Sequence, residues 1–251
     1  MLGGTFRAWA RNLVPFSVIA FVIQSPFLVY TWFVLRRAEG GQIETIDELV
    51  ETVTTWGAVI GIGTVLLGFV VTGAVSYGVF QQLRGRPAAL FDCVAVGLRK
   101  LLPVLGVGLV AGVAVGAPLI VAVLLKMPIL MIALVIPTIV LYCMFWVAVP
   151  VAVVERQSVF AAMRRSAQLT KGYKGSIFGV AFILGIIERV VDAIVQNTLE
   201  NVESLAVIMW VTVGVAIAVS LLTSVAAAVG YHDLRAAKEG VGVEELIEVF
   251  A

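Results

Sequence analysis

The sequence predicts an all-α, polytopic integral membrane protein with six transmembrane helices, and two observations carry this prediction. First, apolar residues form 61% of the 251 residues and charged residues only 13%, whereas about 25% of a soluble domain is charged. Second, the uncharged runs between the few charges reach the roughly 20 residues that a helix needs to cross a hydrocarbon core. Such a composition excludes a disordered chain, a nucleic-acid-binding protein and an ordinary soluble enzyme.

Long uncharged runs predict where the spans lie, because about 18 such residues make a transmembrane candidate. Five runs place spans at about 13–35, 57–80, 101–125, 129–153 and 205–230. A further span, the fifth in chain order, is predicted at about 176–195, where the apolar run is followed by Glu188, Arg189 and Asp192. The first run is longer than the apolar core of a signal peptide, about 7–15 residues, so we interpret it as a span.

The basic residues predict the orientation of these spans, because Lys and Arg near span ends concentrate on the cytoplasmic side. With six spans and both termini cytoplasmic, only four of the 17 Lys and Arg residues lie outside: Arg36, Arg37, Lys126 and Arg189. With five spans the tail that carries Arg235 and Lys238 would lie outside, which the same rule disfavours. We therefore expect a multi-pass membrane protein with both termini in the cytoplasm.

The order of segments predicts a single membrane domain over residues 1–230 and a short acidic cytoplasmic tail over 231–251. Within the domain we expect three similar units at about 1–80, 88–153 and 158–230. Each unit has a basic, amphipathic segment followed by two spans. Residue identity between the units is weak, so this internal repeat is an interpretation of their layout.

Two of the amphipathic segments are predicted to be short helices on the cytoplasmic membrane surface. Three apolar residues recur at helical spacing in each: Phe91, Val94 and Leu98 in segment 89–100, and Phe160, Met163 and Ala167 in segment 158–175. An apolar side of this kind lies in the lipid boundary, while Lys and Arg at its edge approach anionic headgroups. Anionic membrane lipids are therefore predicted partners on the cytoplasmic side.

Four polar residues are candidates for an intramembrane polar site: Gln24, Glu188, Arg189 and Asp192. Ionisable groups inside hydrocarbon are expensive and usually mark a function, and Arg189 and Asp192 have the spacing to pair on one helix face. The structural alternative is that this span is short or tilted, so that Glu188, Arg189 and Asp192 begin an acidic helix on the outer surface. For Gln24, which lies close to Pro26, the alternative to a cavity lining is relief of a proline kink.

The sequence contains no arrangement of residues that predicts catalysis, a metal site or a cofactor. His232 is the only histidine, so a metal site or triad that needs a second histidine is excluded. Residues 106–111 match the pattern of a dinucleotide-binding loop, but they lie inside an uncharged span with no preceding strand. Cys93 lies on a surface segment and Cys143 inside a span, so the two do not form a disulfide framework. We therefore predict a non-enzymatic protein.

Several motifs in the second half of the chain resemble those of a known family. They are Pro150-Val-Ala-Val-Val-Glu155, Ala162-Met-Arg-Arg-Ser166, Leu169-Thr-Lys-Gly172, Tyr231-His-Asp-Leu-Arg235 and Lys238-Glu-Gly240. The pattern is similar to that of prokaryotic integral membrane proteins named for the glycerophosphoryl diester phosphodiesterase membrane domain, with Met163, Lys171 and His232 as mild departures. The resemblance covers roughly residues 145–240. It implies a membrane domain in a prokaryotic cytoplasmic membrane. Because the chain is occupied by spans, we expect no phosphodiesterase barrel and no hydrolase activity.

The same motifs bring five charged residues to the predicted cytoplasmic edge: Glu155, Arg164, Arg165, Asp233 and Arg235. We expect these residues to form one network that ties the third surface segment to the end of the last span. The structural interpretation is that the network only holds helices together, and the alternative is a docking or headgroup site. Contact between Glu155 and one of the basic groups is the geometric test.

Two functions from different classes remain open on the sequence. The first is a non-catalytic scaffold or accessory subunit, whose surface helices and acidic tail engage a protein partner. The second is binding or transport of a lipid or other hydrophobic solute in a cavity between the repeated units. A tightly packed bundle would favour the scaffold, whereas a wide, lipid-accessible cavity lined by Gln24, Glu188 or Arg189 would favour lipid binding. No nucleic-acid partner is expected.

Overall fold

The computed structural model describes residues 9–10, 14, 16–25, 28–29, 32, 36, 67–81, 90–155, 157–202 and 204–240. These residues are mostly helical and contain no strand, so the predicted all-α class is confirmed. The helices are α1 (Phe16–Ser25), α2 (Leu67–Gln81), α3 (Leu90–Arg99), α4 (Leu101–Leu124), α5 (Pro128–Phe145), α6 (Ala148–Val154), α7 (Val159–Thr170), α8 (Lys174–Leu199) and α9 (Leu205–Glu239).

Three helical stretches within the described residues are long and apolar enough to cross a membrane: Leu101–Ala122, Ile129–Val154 and Trp210–Glu239. They agree with the predicted third, fourth and sixth spans. Helix α8 is 26 residues long but does not join this group, since it carries Glu188, Arg189 and Asp192. Much of the predicted spans at 13–35 and 57–80 lies outside the described residues, and the described parts form the shorter apolar helices α1 and α2. The acidic tail beyond Gly240 also lies outside them.

The core is formed around α9, which is the most buried of the three long stretches. In the most apolar part of each stretch, the buried share is 56% for Trp210–Glu239, 12% for Leu101–Ala122 and 6% for Ile129–Val154. Buried residues from α1, α2, α6 and α9 pack together, among them Phe16, Val75, Val151 and Leu221. Helices α4 and α5 instead bury few of their apolar side chains and leave many exposed, as expected of helices in contact with lipid.

The helical stretch Ile129–Val154 is interrupted between α5 and α6, and α7 packs over the interruption. The last carbonyls of an α-helix have no partner within the helix, and Met144 lies in the last turn of α5. Its carbonyl oxygen accepts hydrogen bonds from Ser166 Oγ at 2.8 Å and Thr170 Oγ1 at 3.4 Å. Side chains of α7 therefore satisfy a backbone group that the break exposes.

Helices α3 and α7 bury residues at the same two positions of their sequences. The fourth and eighth residues are buried in both: Cys93 and Gly97 in α3, and Ala162 and Ser166 in α7. Gly97 packs so closely on α2 that a Cβ atom there would lie 2.9 Å from the carbonyl oxygen of Val70. Each helix thus lies against the long helical segment that precedes it.

The exposed faces of α3 and α7 differ. Phe91 and Leu98 of α3 are 90% and 56% exposed, in agreement with a lipid-facing side. On α7, Met163 was predicted to face lipid but is buried, because the apolar side of this helix packs against the protein. The exposed face of α7 carries Phe160 together with the exposed cations Arg164 and Lys171.

Candidate functional site

The charged residues of the predicted cytoplasmic edge meet at Glu155, which caps the C-terminus of α6. Its carboxylate accepts hydrogen bonds from Arg165 Nε, 3.1 Å from each oxygen, and from Gln157 Nε2 at 2.9 Å. The Tyr231 hydroxyl donates to Glu155 Oε1 at 2.8 Å. Side chains from α7 and α9 thus converge on one carboxylate, and we name Glu155, Arg165, Tyr231, Arg235 and Glu239 the inner network.

A second carboxylate joins the two arginines of the inner network. Arg165 pairs with Glu239 Oε1, and Arg235 Nε donates to Glu239 Oε2 at 2.9 Å. Beside them, Lys238 Nζ donates to the Gln168 carbonyl oxygen. Helix α7 is therefore tied to the last turns of α9 by both side-chain and backbone groups.

Tyr231 connects the inner network to the apolar core. The side chain is fully buried, and its ring meets Phe80 edge-to-face with centroids 5.5 Å apart. Arg235 approaches the same hydroxyl, with a nitrogen 3.4 Å away. A buried hydroxyl needs a partner, so the position of Glu155 and the packing of α9 against α2 depend on each other.

The charges of the inner network are mutually satisfied, which gives them a structural character. Burial lowers the pKa of Arg165, but hydrogen bonds to Glu239 and Glu155 outweigh it and hold the pKa above its ordinary value. The side chain of Glu155 is 13% exposed and that of Glu239 is 26% exposed. Each acidic and basic group of this set is therefore bound to another member of the inner network.

Of the five predicted residues, the structure brings Glu155, Arg165 and Arg235 together. Arg164 lies one residue from Arg165 but on the exposed face of α7, where no described carboxylate is within ion-pair distance. Asp233 lies beside His232, whose Nδ1 is 3.5 Å from Asp233 Oδ1. Glu239, which the sequence placed in the acidic tail, is the carboxylate that bridges Arg165 and Arg235.

Tyr231, Gln157 and Glu239 are members of this site that were not predicted. The four-residue spacing of Tyr231, Arg235 and Glu239 was the available signal, because residues four apart are neighbours on one helix face. The spacing becomes informative only once α9 is known to continue to Glu239.

The second candidate site is an open groove of about 690 Å³ between α5 and α8. Thr138, Ile139 and Tyr142 line it from α5, Val115 lines it from α4, and residues from Phe178 to Ala193 line it along α8. Among the described residues the lining is almost entirely apolar, and Arg189 is the one charged residue in it. We name this feature the lateral groove.

Two polar groups in the lateral groove have no partner among the described residues. Thr138 Oγ1 is buried and makes no hydrogen bond. The exposed guanidinium of Arg189 has no ion pair with a described residue, and the predicted pairing with Asp192 is not formed. Glu188 is exposed and Asp192 half-buried, and neither lines the groove.

Gln24, the remaining candidate, lies apart from these residues in α1, where it is half-buried and does not line the lateral groove. The described residues also contain no cluster of three or more His, Cys, Asp or Glu side chains that could hold a metal ion.

The chain matches no protein-family model, no curated protein and no solved structure.

Proposed function

We propose that the protein is a non-catalytic integral membrane protein that binds a lipid or another hydrophobic solute in the lateral groove. The observation that carries this proposal is a wide apolar groove lined by Arg189, the feature expected of lipid binding rather than of a tightly packed scaffold. Grooves of roughly 300–1,000 Å³ with a few polar groups among apolar ones are typical of ligand sites. The exposed apolar side chains of α4 and α5 beside the groove give a bilayer lipid direct access.

The proposal is tested by filling the groove and measuring the lipid that stays bound. Gly185 lines the groove, and a Cβ atom there would meet no atom within 4 Å, so Gly185→Leu places its side chain in the open space. Gly179→Leu is the matched control, because this residue lies on the same helix with equal space but outside the groove. Native mass spectrometry of the gently purified proteins reports the bound lipid.

We expect the wild type and Gly179→Leu to retain lipid and Gly185→Leu to lose it. Equal lipid retention in all three proteins would overturn the proposal. A wild type that carries no lipid but retains a stoichiometric protein partner would also overturn it and would favour the scaffold.

We also propose the finer topology: six spans, cytoplasmic termini, three related units and a place in a prokaryotic cytoplasmic membrane. The matching buried positions of α3 and α7, and the way each lies on the preceding long segment, support related units. Superposition of an experimental structure over residues 88–153 and 158–230 would test this, and helices that do not align would contradict it.

Membership of the glycerophosphoryl diester phosphodiesterase membrane-domain family is likewise a proposal. Its support is that the motifs of the resemblance, distant in sequence, meet in the inner network. Gly172 and Gly240 end their helices with φ of 90° and 65°, a conformation that glycine adopts without strain. A second chain with these motifs but without the inner network would count against the proposal.

A further inference from the structure

Near Arg189, α8 carries charges of both signs on two adjoining sides. Arg189 lies in the groove, whereas Glu188 and Asp192 lie outside its lining. At 3.6 residues per turn, Glu188 and Asp192 stack one turn apart on the flank next to the guanidinium. One cation therefore faces the groove, and two carboxylates stand at its edge.

These charges have no partners among the described residues, in contrast to the inner network. Glu188 and Arg189 are exposed and Asp192 is half-buried, and no ion pair joins them to one another. Charged groups at the edge of hydrocarbon are costly unless something satisfies them. A ligand with a single negative charge would satisfy Arg189 but would face both carboxylates, and an uncharged ligand would satisfy none of the three.

The groove also offers an extended apolar path. Arg189 and Phe178 are 11 residues apart, which is roughly 16 Å along a helix. The stacked rings of Phe178 and Phe182, with centroids 5.8 Å apart, form the apolar end of this path. An acyl chain that begins near Arg189 therefore follows an apolar lining as far as Phe178.

We infer that the lateral groove holds a zwitterionic phospholipid, with its phosphate on Arg189, its ammonium group beside Glu188 and Asp192, and one acyl chain directed towards Phe178. The inference rests on the proposed function and adds the class of ligand to it. A guanidinium donates paired hydrogen bonds to phosphate oxygens, and the two carboxylates accept from the ammonium group. The charge pattern distinguishes this headgroup from a purely anionic one.

The test is a lipid titration of the full chain in detergent, followed by native mass spectrometry. The three probes are phosphatidylethanolamine, phosphatidylglycerol and diacylglycerol with identical acyl chains. For the wild type we expect the tightest binding with phosphatidylethanolamine, weaker binding with phosphatidylglycerol and the weakest with diacylglycerol. Arg189→Gln should weaken binding of both phospholipids roughly tenfold, the loss of one charge-assisted contact, and leave diacylglycerol unchanged.

Two further variants separate the two signs of charge. Asp192→Asn should remove most of the preference for phosphatidylethanolamine over phosphatidylglycerol, because only the zwitterion uses the carboxylate. Lys126→Gln is the matched control, since it removes an exposed cation between α4 and α5 that does not line the groove, and should change none of the three affinities. A thermal melt of each variant shows that it is folded.

The outcomes distinguish this inference from the proposed function. Equal binding of all three lipids, abolished by Gly185→Leu, would overturn the headgroup inference and leave lipid binding intact. Tighter binding of phosphatidylglycerol than of phosphatidylethanolamine would also overturn the inference. Binding of none of the probes, or a dimer that excludes them, would overturn both.

Discussion

Oppositely charged residues lie close together both in the inner network and around Arg189 of α8, but only those of the inner network form ion pairs with one another. In the inner network the carboxylate of Glu155 accepts hydrogen bonds from three side chains, and the carboxylate of Glu239 bridges two arginines. Along α8, Glu188, Arg189 and Asp192 are close in sequence and form no ion pair with one another or with another described residue.

The difference separates a structural role from a binding role. A charged group that is partly buried and fully paired holds helices in register, and removing its partner is expensive. A charged group that is exposed beside an apolar groove adds little to stability and remains free to contact a ligand. The comparison therefore predicts that matched substitutions will have large effects on stability at one site and small effects at the other.

The largest contrast is expected between Glu155→Ala and Glu188→Ala. Loss of the Glu155 carboxylate removes one of the two carboxylates that pair with Arg165, together with the acceptor of the Tyr231 hydroxyl, which should lower the free energy of unfolding by about 3 kcal/mol. Glu188→Ala removes an exposed, unpaired group and should change it by less than about 0.5 kcal/mol. Denaturant titration in mild detergent measures both, and equal losses would break the comparison.

A smaller loss is expected for Tyr231→Phe, which deletes the hydroxyl and keeps the ring against Phe80. The hydrogen bond to the Glu155 carboxylate is charge-assisted, so we expect the free energy of unfolding to fall by about 1.5–2 kcal/mol. Because both groups belong to one network, the double variant with Glu155→Ala should lose less than the sum of the single losses. Additive losses would show that Tyr231 contributes independently of Glu155.

Arg165→Lys should cost about 1 kcal/mol, because a single ammonium group does not reproduce the fork that contacts both Glu155 and Glu239. Arg189→Lys should leave stability unchanged. Because the pKa of Arg165 is raised, its contribution is lost as pH rises through that value. Burial raises the pKa of Glu239, but its pairing with Arg165 and Arg235 outweighs this and lowers the pKa, so the contribution is also lost in acid, as pH falls through the pKa of that carboxyl. The substituted lysine would lose its proton near its ordinary pKa of about 10.4, so the deficit measured by denaturant titration should grow as pH rises towards that value.

The smallest effect on stability is expected for Ala193→Cys, which instead compares the accessibility of the two regions. Ala193 lines the open groove, so its cysteine should react with a membrane-permeable maleimide near neutral pH. Native Cys93 is fully buried, and burial, followed by the charge of Asp92, raises its pKa to about 11. We expect no reaction at Cys93 until the protein is denatured, and rapid labelling of the folded wild type at Cys93 would contradict this.

The positions of the helices follow largely from local properties of the sequence. The charges at Lys100 and Lys126 limit α4, and the predicted span at 101–125 agrees with Leu101–Ala122. The last helix continues beyond the predicted residue 230 to Glu239. Its final turns are polar, so hydropathy ends the span early, whereas the helix itself ends only at Gly240.

The composition of the two sites depends on packing that the sequence does not encode locally. Arg164 and Arg165 differ by about 100° around α7, and only the packed helix decides which of them reaches Glu155. The lateral groove requires α5 and α8 to meet along their length, which no spacing within either helix predicts. The sequence identifies Arg189 as a candidate from its depth in a predicted span. It does not predict that Arg189 and Asp192 form no ion pair.

The break between α5 and α6 bears on the order in which the protein is assembled during synthesis. The Met144 carbonyl receives its donors from Ser166 and Thr170, which follow it by 22 and 26 residues. At roughly 5–20 residues per second, the ribosome needs about 1–5 seconds to deliver them. Until then water must solvate this carbonyl, so the end of α5 remains at the hydrated surface. Docking of α7 can therefore close the end of α5 before α9, the central helix of the bundle, has been made.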